Sequence, residues 1–251
     1  MLGWLIALSA LAASPDEVRT VIEGFNGSAV YKLPALSGGD LQKLVEGKVV
    51  KIRETSAADE PQRAIGMLLT TQHRDAMWVA ARTEEGSYAS MSNYLIPDSG
   101  DLERWYQHMN VPFPFTDRHW VIDVWDNKAM AEAGPCWEHP WRLAPTGYEA
   151  AREATAAQKV GSLTLKQFDG AVKVPVNNGA WVACELGAET LLVFHAQSVV
   201  GGAVPDRLVV DFTMMTLGKV VRGVESRAAT AASWYRGGIV GGDGERIVLS
   251  P

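Results

Sequence analysis

The sequence has few of the residues on which most catalytic and metal sites depend. Its 251 residues include two cysteines and five histidines. No histidine lies at a zinc-binding spacing from another histidine or from a cysteine. A Gly-x-Ser-x-Gly nucleophile motif, a phosphate-binding loop and a dinucleotide fingerprint are also absent. The sequence therefore predicts no catalytic residue, no metal site and no cofactor.

Positive charge is also scarce. The chain carries 23 Lys and Arg against 29 Asp and Glu, so its formal net charge is −6, and its basic residues form no stripe. A nucleic-acid partner would require a basic face to meet its phosphates. We therefore expect no nucleic-acid partner.

Long hydrophobic runs are missing as well. No stretch approaches the roughly 18 uninterrupted apolar residues that would span a membrane. Residues 1–13 are apolar and end in small side chains, and Ala10-Leu11-Ala12 fits a signal-peptidase site. We predict a signal peptide over residues 1–12 and an exported, periplasmic or secreted protein. This segment has no Lys or Arg, which leaves a misassigned start codon or a packed N-terminal helix as alternatives.

The sequence does not decide whether its two cysteines form a disulfide or remain free thiols. Cys136 and Cys184 could pair in an exported protein, because disulfides persist in oxidising compartments. The alternative is a small buried strand residue at Cys184 and a loop thiol at Cys136. The spacing alone does not decide between the two.

The apolar residues are most concentrated between residues 179 and 224. Two β-branched and aromatic runs, 181–185 and 190–199, flank a glycine-containing turn and predict an antiparallel hairpin. Gly201 and Gly202 then form a hinge before a predicted helix that extends from Pro205 to Val224. This helix is apolar over most of its circumference, so it must be covered on more than one side.

Three short motifs occur in order along the chain: VPFPFTDRHWV at 111–121, VPVNNGAW at 174–181 and GGAVP at 201–205. Together they resemble the START-type lipid-binding domains of the polyketide cyclase and birch-pollen allergen superfamily, over about residues 62–229. The resemblance implies an α+β helix-grip fold, with a curved antiparallel sheet wrapped around a long C-terminal helix. It also implies a lipid or other hydrophobic small molecule in the apolar cavity between them, for transport or sensing.

Alternation along the strands and spacing along the helix predict which side chains face that cavity. The predicted ligand-binding residues are Arg118, Trp120, Ile122, Val124, Trp181, Phe194, Phe212 and Met215. Arg118 is in step with the apolar face of its strand. A buried guanidinium needs a partner, so we expect either an ion pair with Asp117 or Asp206 or an anchor for a ligand head group.

The rest of the chain is divided as follows. Residues 13–61 form an N-terminal extension with a helix and a first strand, and residues 62–235 form the START-like domain. Residues 88–94 are predicted as a short helix. Residues 127–170 are an elaboration over the sheet edge or the cavity mouth, with a helix at 148–159 and a strand at 162–168. Residues 236–251 form a loose glycine-rich tail.

Two further functions compete with ligand binding. The superfamily resemblance also implies cavity enzymes of the cyclase or hydrolase type, although Glu138 and His139 have no nucleophile near them in sequence. The other alternative is a scaffold with a filled core that contacts a partner through residues 137–141. Alternation predicts a surface position for His195. We expect a monomer whose partners are a hydrophobic small molecule or lipid and, transiently, a membrane.

Overall fold

The structure is a computed structural model that describes residues 12–55, 61–83, 91–97, 102–113, 115–202 and 206–249. The predicted signal peptide therefore lies, apart from Ala12, outside the described residues. The helices are α1 (Pro15–Ser28), α2 (Gly38–Val45), α3 (Arg74–Arg82), α4 (Lys128–Ala133), α5 (Tyr148–Ala156), α6 (Leu165–Gly170), α7 (Asp206–Ala228) and α8 (Ala231–Trp234). The strands are β1 (Val50–Glu54), β2 (Arg63–Thr70), β3 (Met91–Ile96), β4 (Glu103–Met109), β5 (Arg118–Val124), β6 (Cys136–Leu143), β7 (Val172–Lys173), β8 (Val176–Leu186) and β9 (Glu189–Val199).

All nine strands form one sheet. Its order is β1-β2-β9-β8-β6-β5-β4-β3, and each of these neighbours pairs antiparallel. The short β7 pairs in parallel with β5. The hairpin predicted between residues 181 and 199 is confirmed as β8 and β9. The expected α+β architecture is confirmed too, with α7 as the long helix that closes the chain's main fold.

Helix α7 packs on the inner face of the sheet through one stripe of side chains. Val210, Leu217, Val221 and Val224 are buried at the three- and four-residue spacing of a helix face. The closest approach is over β2, where a Cβ on Gly66 would lie 3.3 Å from the Leu217 side chain. A glycine in the strand therefore lets the helix pack directly against the sheet backbone. No described helix is long and apolar enough to cross a membrane.

The N-terminal extension covers the opposite, outer face of the sheet. Ser14 begins α1 with a capping box, and Val18, Ile22 and Phe25 pack into a cluster with residues of β2, β8 and β9. This layer buries His195 completely, so the prediction of a surface histidine is wrong. Alternation placed His195 on the correct face of β9, but the sequence did not indicate that helices cover that face.

The segment 127–170 is only partly an elaboration. Its strand β6 lies inside the sheet, with residues 136–141 paired to β8 and residues 141–143 paired to β5. Pro140 lies where β6 passes from one neighbour to the other, a position that tolerates a missing N–H. The helix predicted at 148–159 is confirmed as α5. The strand predicted at 162–168 is wrong, because Thr164 caps helix α6 in a capping box with Gln167.

Two other local predictions are also wrong. Residues 91–96 form strand β3 rather than a helix, while residues 88–90 lie outside the described residues. The described part of the tail is packed rather than loose. Ile247 is buried in a cluster with Trp78 and Trp137. Gly242 lies so close to the Trp137 ring that a Cβ there would come within 2.6 Å of it.

The two cysteines form a disulfide between β6 and β8. Cys136 and Cys184 are directly opposite each other in the register of these strands, and both are buried. The alternative of two free thiols is therefore wrong. The bond joins β6, which the sequence analysis assigned to an elaboration, to the hairpin of β8 and β9.

Candidate ligand-binding face

The inner face of the sheet carries a continuous apolar surface beside helix α7. It starts on β5, where Trp120, Ile122 and Val124 share one side of the strand, as alternation predicted. Neighbouring strands extend it. We call this surface the aromatic face; its members are Met91, Trp105, Met109, Trp120, Ile122, Val124, Trp141, Leu143, Val174, Trp181 and Phe194.

Three aromatic rings connect the two halves of this face. The Phe194 ring centroid lies 4.6 Å from that of Trp181 and 5.8 Å from that of Trp141. Gly179 on β8 makes room for Trp141, because a Cβ there would come 2.5 Å from the Trp141 ring. Phe194 is half-buried, so part of this surface is open to solvent.

Polar groups on the aromatic face are mainly amides. Gln107 accepts a hydrogen bond of 2.6 Å from the Trp120 indole N–H and donates one of 3.2 Å to Asn93. Asn177 accepts a bond of 2.9 Å from the Trp141 indole N–H. These amides satisfy the buried indoles and keep further donor and acceptor capacity. The arrangement can orient a hydroxyl or carbonyl group of a ligand, whereas amides supply no acid or base for catalysis.

Arg118 lies at one end of this face and is 4% exposed. Its Nε donates to the Val200 carbonyl at 2.9 Å and its Nη2 to the Gly201 carbonyl at 3.0 Å. The expected ion pair with Asp117 is wrong, because that carboxylate accepts from the Val111 N–H at 3.0 Å. The Asp206 side chain lies outside the described residues. Arg118 therefore stabilises the Gly201–Gly202 hinge, called the joint below, which follows β9.

The joint itself has the backbone geometry that its glycines allow. Gly201 and Gly202 have φ values of +67° and +69°, a region that other residues avoid. A Cβ on Gly202 would lie 3.2 Å from Nη2 of Arg118. The prediction that these two glycines turn the chain from the last strand towards the helix is confirmed.

The two helix residues predicted to face the cavity do not pack against the sheet. Phe212 is 62% exposed and Met215 is 69% exposed, so the prediction that they face inward is wrong. Together with Leu208 they form an outward stripe on α7. The helix is apolar on several sides, and the sequence therefore did not indicate which side meets the sheet.

Glu138 and His139 do not form an acid–base pair, because they point to opposite faces of β6. On the outer face, Glu138 accepts from the Val30 N–H at 3.0 Å and from Asn127 at 2.6 Å. Burial raises the pKa of Glu138, and these hydrogen bonds oppose that shift. The Glu138 carboxylate thus fastens the N-terminal extension to the sheet.

His139 faces inward and belongs to a separate polar cluster at the end of the sheet near α3. Its Nδ1 lies 2.7 Å from Asp126, and burial lowers its pKa. Arg82 donates to Asp126 at 3.1 Å and to the Val240 carbonyl at 3.2 Å. The cluster therefore joins α3, β6 and the tail. Within the described residues, no group of three or more His, Cys, Asp and Glu could hold a metal ion.

Sequence reasoning missed six members of the aromatic face: Met91, Trp105, Met109, Trp141, Leu143 and Val174. Trp105 and Trp141 were not predicted as site residues, and Trp141 was assigned to a partner-contact region. The only signal for Trp141 was its alternation with Trp137 and His139, which Pro140 obscured. Whether the predicted site residues bind a ligand stays a prediction.

Known structures share this architecture. A STAR-related lipid transfer protein from Xanthomonas axonopodis matches with a TM-score of 0.53 at 15% identity, covering 73% of this chain and 94% of that one. Human STARD10 matches with a TM-score of 0.54 at 10% identity, covering 92% and 86%. Human StAR-related lipid transfer protein 5 matches with a TM-score of 0.54 at 10% identity, covering 72% and 82%.

These likenesses are structural. No protein-family model matches the sequence, and comparison with curated proteins gives no match. At 10–15% identity, a similar structure shows a shared fold rather than a shared ligand. The sheet order, the closing helix and these matches lead to the same conclusion: the chain has the START-type helix-grip fold.

Proposed function

We propose that the protein binds a lipid or other hydrophobic small molecule on the aromatic face, for transport or sensing. The observation that carries this proposal is the continuity of the face across six strands, from β9 to β3, with the half-buried Phe194 on β9 packed against Trp141 and Trp181. Binding would remove apolar area from water at about 25 cal/mol per Å². The neighbouring amides would fix the orientation of a polar group.

Binding is favoured over the alternative of a cavity enzyme by the polar groups themselves. The described polar side chains along the aromatic face are mainly the amides of Asn93, Gln107 and Asn177, which do not transfer protons. Arg118 is held by backbone carbonyls, and the exposed Glu103 accepts from the Trp105 indole N–H at 3.2 Å. The Asp126–His139 pair is a further acid–base candidate on the inner side. Its histidine packs edge-on against Trp78 and its carboxylate also holds Arg82, which assigns the pair a structural role.

A titration tests binding directly. A fluorescent fatty acid or sterol added to the protein should bind saturably at one site per chain, with the emission change of a probe that enters an apolar environment. An unlabelled lipid should displace it. A linear, non-saturable signal would contradict the proposal and would favour the filled-core scaffold.

We further propose that the protein contacts a membrane through the outward stripe of α7 and the β4–β5 loop. Leu208, Phe212 and Met215 are exposed on one side of the helix, and Phe113 in the loop is 96% exposed. The two regions flank the same joint, because Arg118 donates hydrogen bonds to both Thr116 and Gly201. Exposed apolar patches of this kind mark interaction surfaces.

If the outward stripe of α7 contacts a membrane, a charged substitution in it should weaken binding to lipid vesicles. Phe212→Asp should weaken sedimentation with neutral phosphatidylcholine vesicles by about 10-fold or more, because a buried phenylalanine contributes about 1.5–3 kcal/mol. Val248→Asp is the matched control, since Val248 is 76% exposed in the C-terminal tail. Equal effects of the two variants, or no effect of either, would contradict this contact.

Export of the protein also stays a proposal. The Cys136–Cys184 disulfide supports it, because such bonds persist mainly in oxidising compartments. N-terminal sequencing of protein from the native host should find Ala13 as the first residue. Intact Met1 on cytoplasmic protein would contradict export.

A further inference from the structure

A pocket lies on the outer face of the sheet, away from the aromatic face. It has a volume of about 250 Å³ and lies between β5, β7 and the two helices α5 and α6. The pocket is separate from the aromatic face because alternation along β5 directs His119 outward and Trp120 inward. Its chemistry is independent of the proposed function.

His119 forms the floor of this pocket and is 3% exposed. The rings of Tyr148 and Phe168 pack against it, with centroids at 5.1 Å and 5.0 Å. Its Nδ1 lies 3.2 Å from the Tyr106 hydroxyl. Its Nε2 has no hydrogen-bond partner among the described residues.

The contacts of the His119 ring favour one position for its proton. Burial raises the pKa of Tyr106, which therefore keeps its proton, and His119 is the one described acceptor for that O–H. Burial, together with the charges of His108 and Lys173, lowers the pKa of His119 to about 4, so the ring is neutral at pH 7. A neutral ring that accepts at Nδ1 carries its proton on Nε2. The floor of the pocket thus offers an N–H donor without an acceptor.

Lys173 supplies a second donor beside this ring. It is directly opposite His119 in the β5–β7 register, so both side chains leave the sheet on the same side. Its Nζ lies 4.3 Å from the centroid of the Tyr148 ring. It has no carboxylate partner in the part of the chain that the structure describes. Lys173 is therefore a positive charge that is free to bind an anion.

The other charged residues around the pocket are one cation and two carboxylates. Arg152 holds Asp169 in a two-point ion pair, with N–O distances of 2.9 Å and 3.1 Å. Glu149 is exposed on the same helix and acts electrostatically on Arg152. The charges of the lining therefore sum to zero, and Lys173 is the one described cation among them that is outside an ion pair. It lies next to one neutral donor, on a floor of aromatic rings.

We propose that this pocket binds a small monocarboxylic acid with a short apolar or aromatic body. The carboxylate would accept hydrogen bonds from Nε2 of His119 and Nζ of Lys173, and the body would contact Tyr148 and Phe168. One free positive charge matches a monoanion better than a phosphate dianion. The volume of about 250 Å³ is below the range of about 300–1,000 Å³ that holds drug-sized ligands, which indicates a smaller one.

Benzoate is a suitable probe for this site. Titrated into the protein at pH 7 and followed by NMR, it should shift the ring signals of His119 and Tyr148 saturably. Benzamide, its neutral counterpart, should bind about 10-fold more weakly or worse. Lys173→Gln should weaken benzoate binding by about 10-fold or more, because it removes a charge-assisted hydrogen bond.

Lys166→Gln is the matched control, because Lys166 is exposed on α6 and does not line the pocket. It should bind benzoate as the wild type does. Equal binding of benzoate to wild type and Lys173→Gln, or tighter binding of inorganic phosphate than of benzoate, would overturn the proposal. Fatty-acid binding at the aromatic face should persist in Lys173→Gln, so failure at one site is distinguishable from failure at the other.

Discussion

Phe194→Asp should reduce the affinity for a fluorescent fatty acid by about 100-fold or more while the protein stays folded. The Phe194 ring lies between Trp141 and Trp181 on the aromatic face and is half-buried. A carboxylate there would face an apolar ligand, and burying an unpaired charge costs several kcal/mol. Because part of the side chain is open to solvent, the new charge has water available when no ligand is bound.

The control for this variant is Val248→Asp, which places the same charge on a residue that is 76% exposed in the tail. It should bind the probe as the wild type does. Circular dichroism should show the same secondary structure in all three proteins. If Phe194→Asp unfolds, the aromatic face is a filled core. If it is folded and binds with wild-type affinity, this face is not the site.

Acid should destabilise the protein over the pH range in which His195 binds a proton in the unfolded chain but not in the folded protein. His195 is fully buried and neither ring nitrogen has a hydrogen-bond partner among the described residues. Burial, with the charge of Arg63 as a second cause, lowers its pKa to about 3. In the unfolded chain the same group titrates near 6.5. The unfolded state therefore binds a proton at pH values where the folded state does not.

The sign of the effect follows from that difference. The contribution of neutral His195 to the free energy of unfolding is fully present above about pH 6.5. It should decline as the pH falls towards about 3, by about 1.4 kcal/mol for each pH unit. Between pH 7 and pH 4.5 the loss from His195 alone should therefore be about 2–3 kcal/mol. His119, with its pKa lowered to about 4, adds a loss of the same sign.

His195→Phe should remove much of this dependence. A phenyl ring keeps the edge-on contact with Tyr31, whose centroid lies 5.6 Å away, and has no polar atom to leave unpaired. Urea unfolding at pH 7 and pH 4.5 measures the change. His73→Asn is the control, because His73 is exposed and asparagine preserves the cap of α3. The account of His195 is wrong if both variants lose as much stability on acidification as the wild type.

The sequence predicted the secondary structure of the segment between residues 179 and 224 well because its signals are local. Alternation along β8 and β9, the turn glycine at Gly187 and the hinge at Gly201 and Gly202 each act within a few residues. The resemblance to START-type domains extended these signals to the whole fold. Each site residue predicted on β5 also lies on the expected side of its strand.

The wrong predictions concern features that tertiary contacts determine. Helix α7 is apolar on several sides, so only its packing over Gly66 shows that Phe212 and Met215 face outward. His195 is buried by an N-terminal layer whose docking has no local signal in β9. Strand β6 contains a proline and three ionisable residues, Glu138, His139 and Arg142, a composition that argues against a central strand. Trp141 was consequently missed.

Native mass spectrometry of the protein purified from its native host tests the central claim most directly. We expect wild-type protein to carry one hydrophobic small molecule per chain, and Phe194→Asp purified in the same way to have the mass of the bare chain. Wild-type protein that shows only the bare mass, even after incubation with a mixture of lipids, would contradict the claim that the aromatic face binds a hydrophobic ligand.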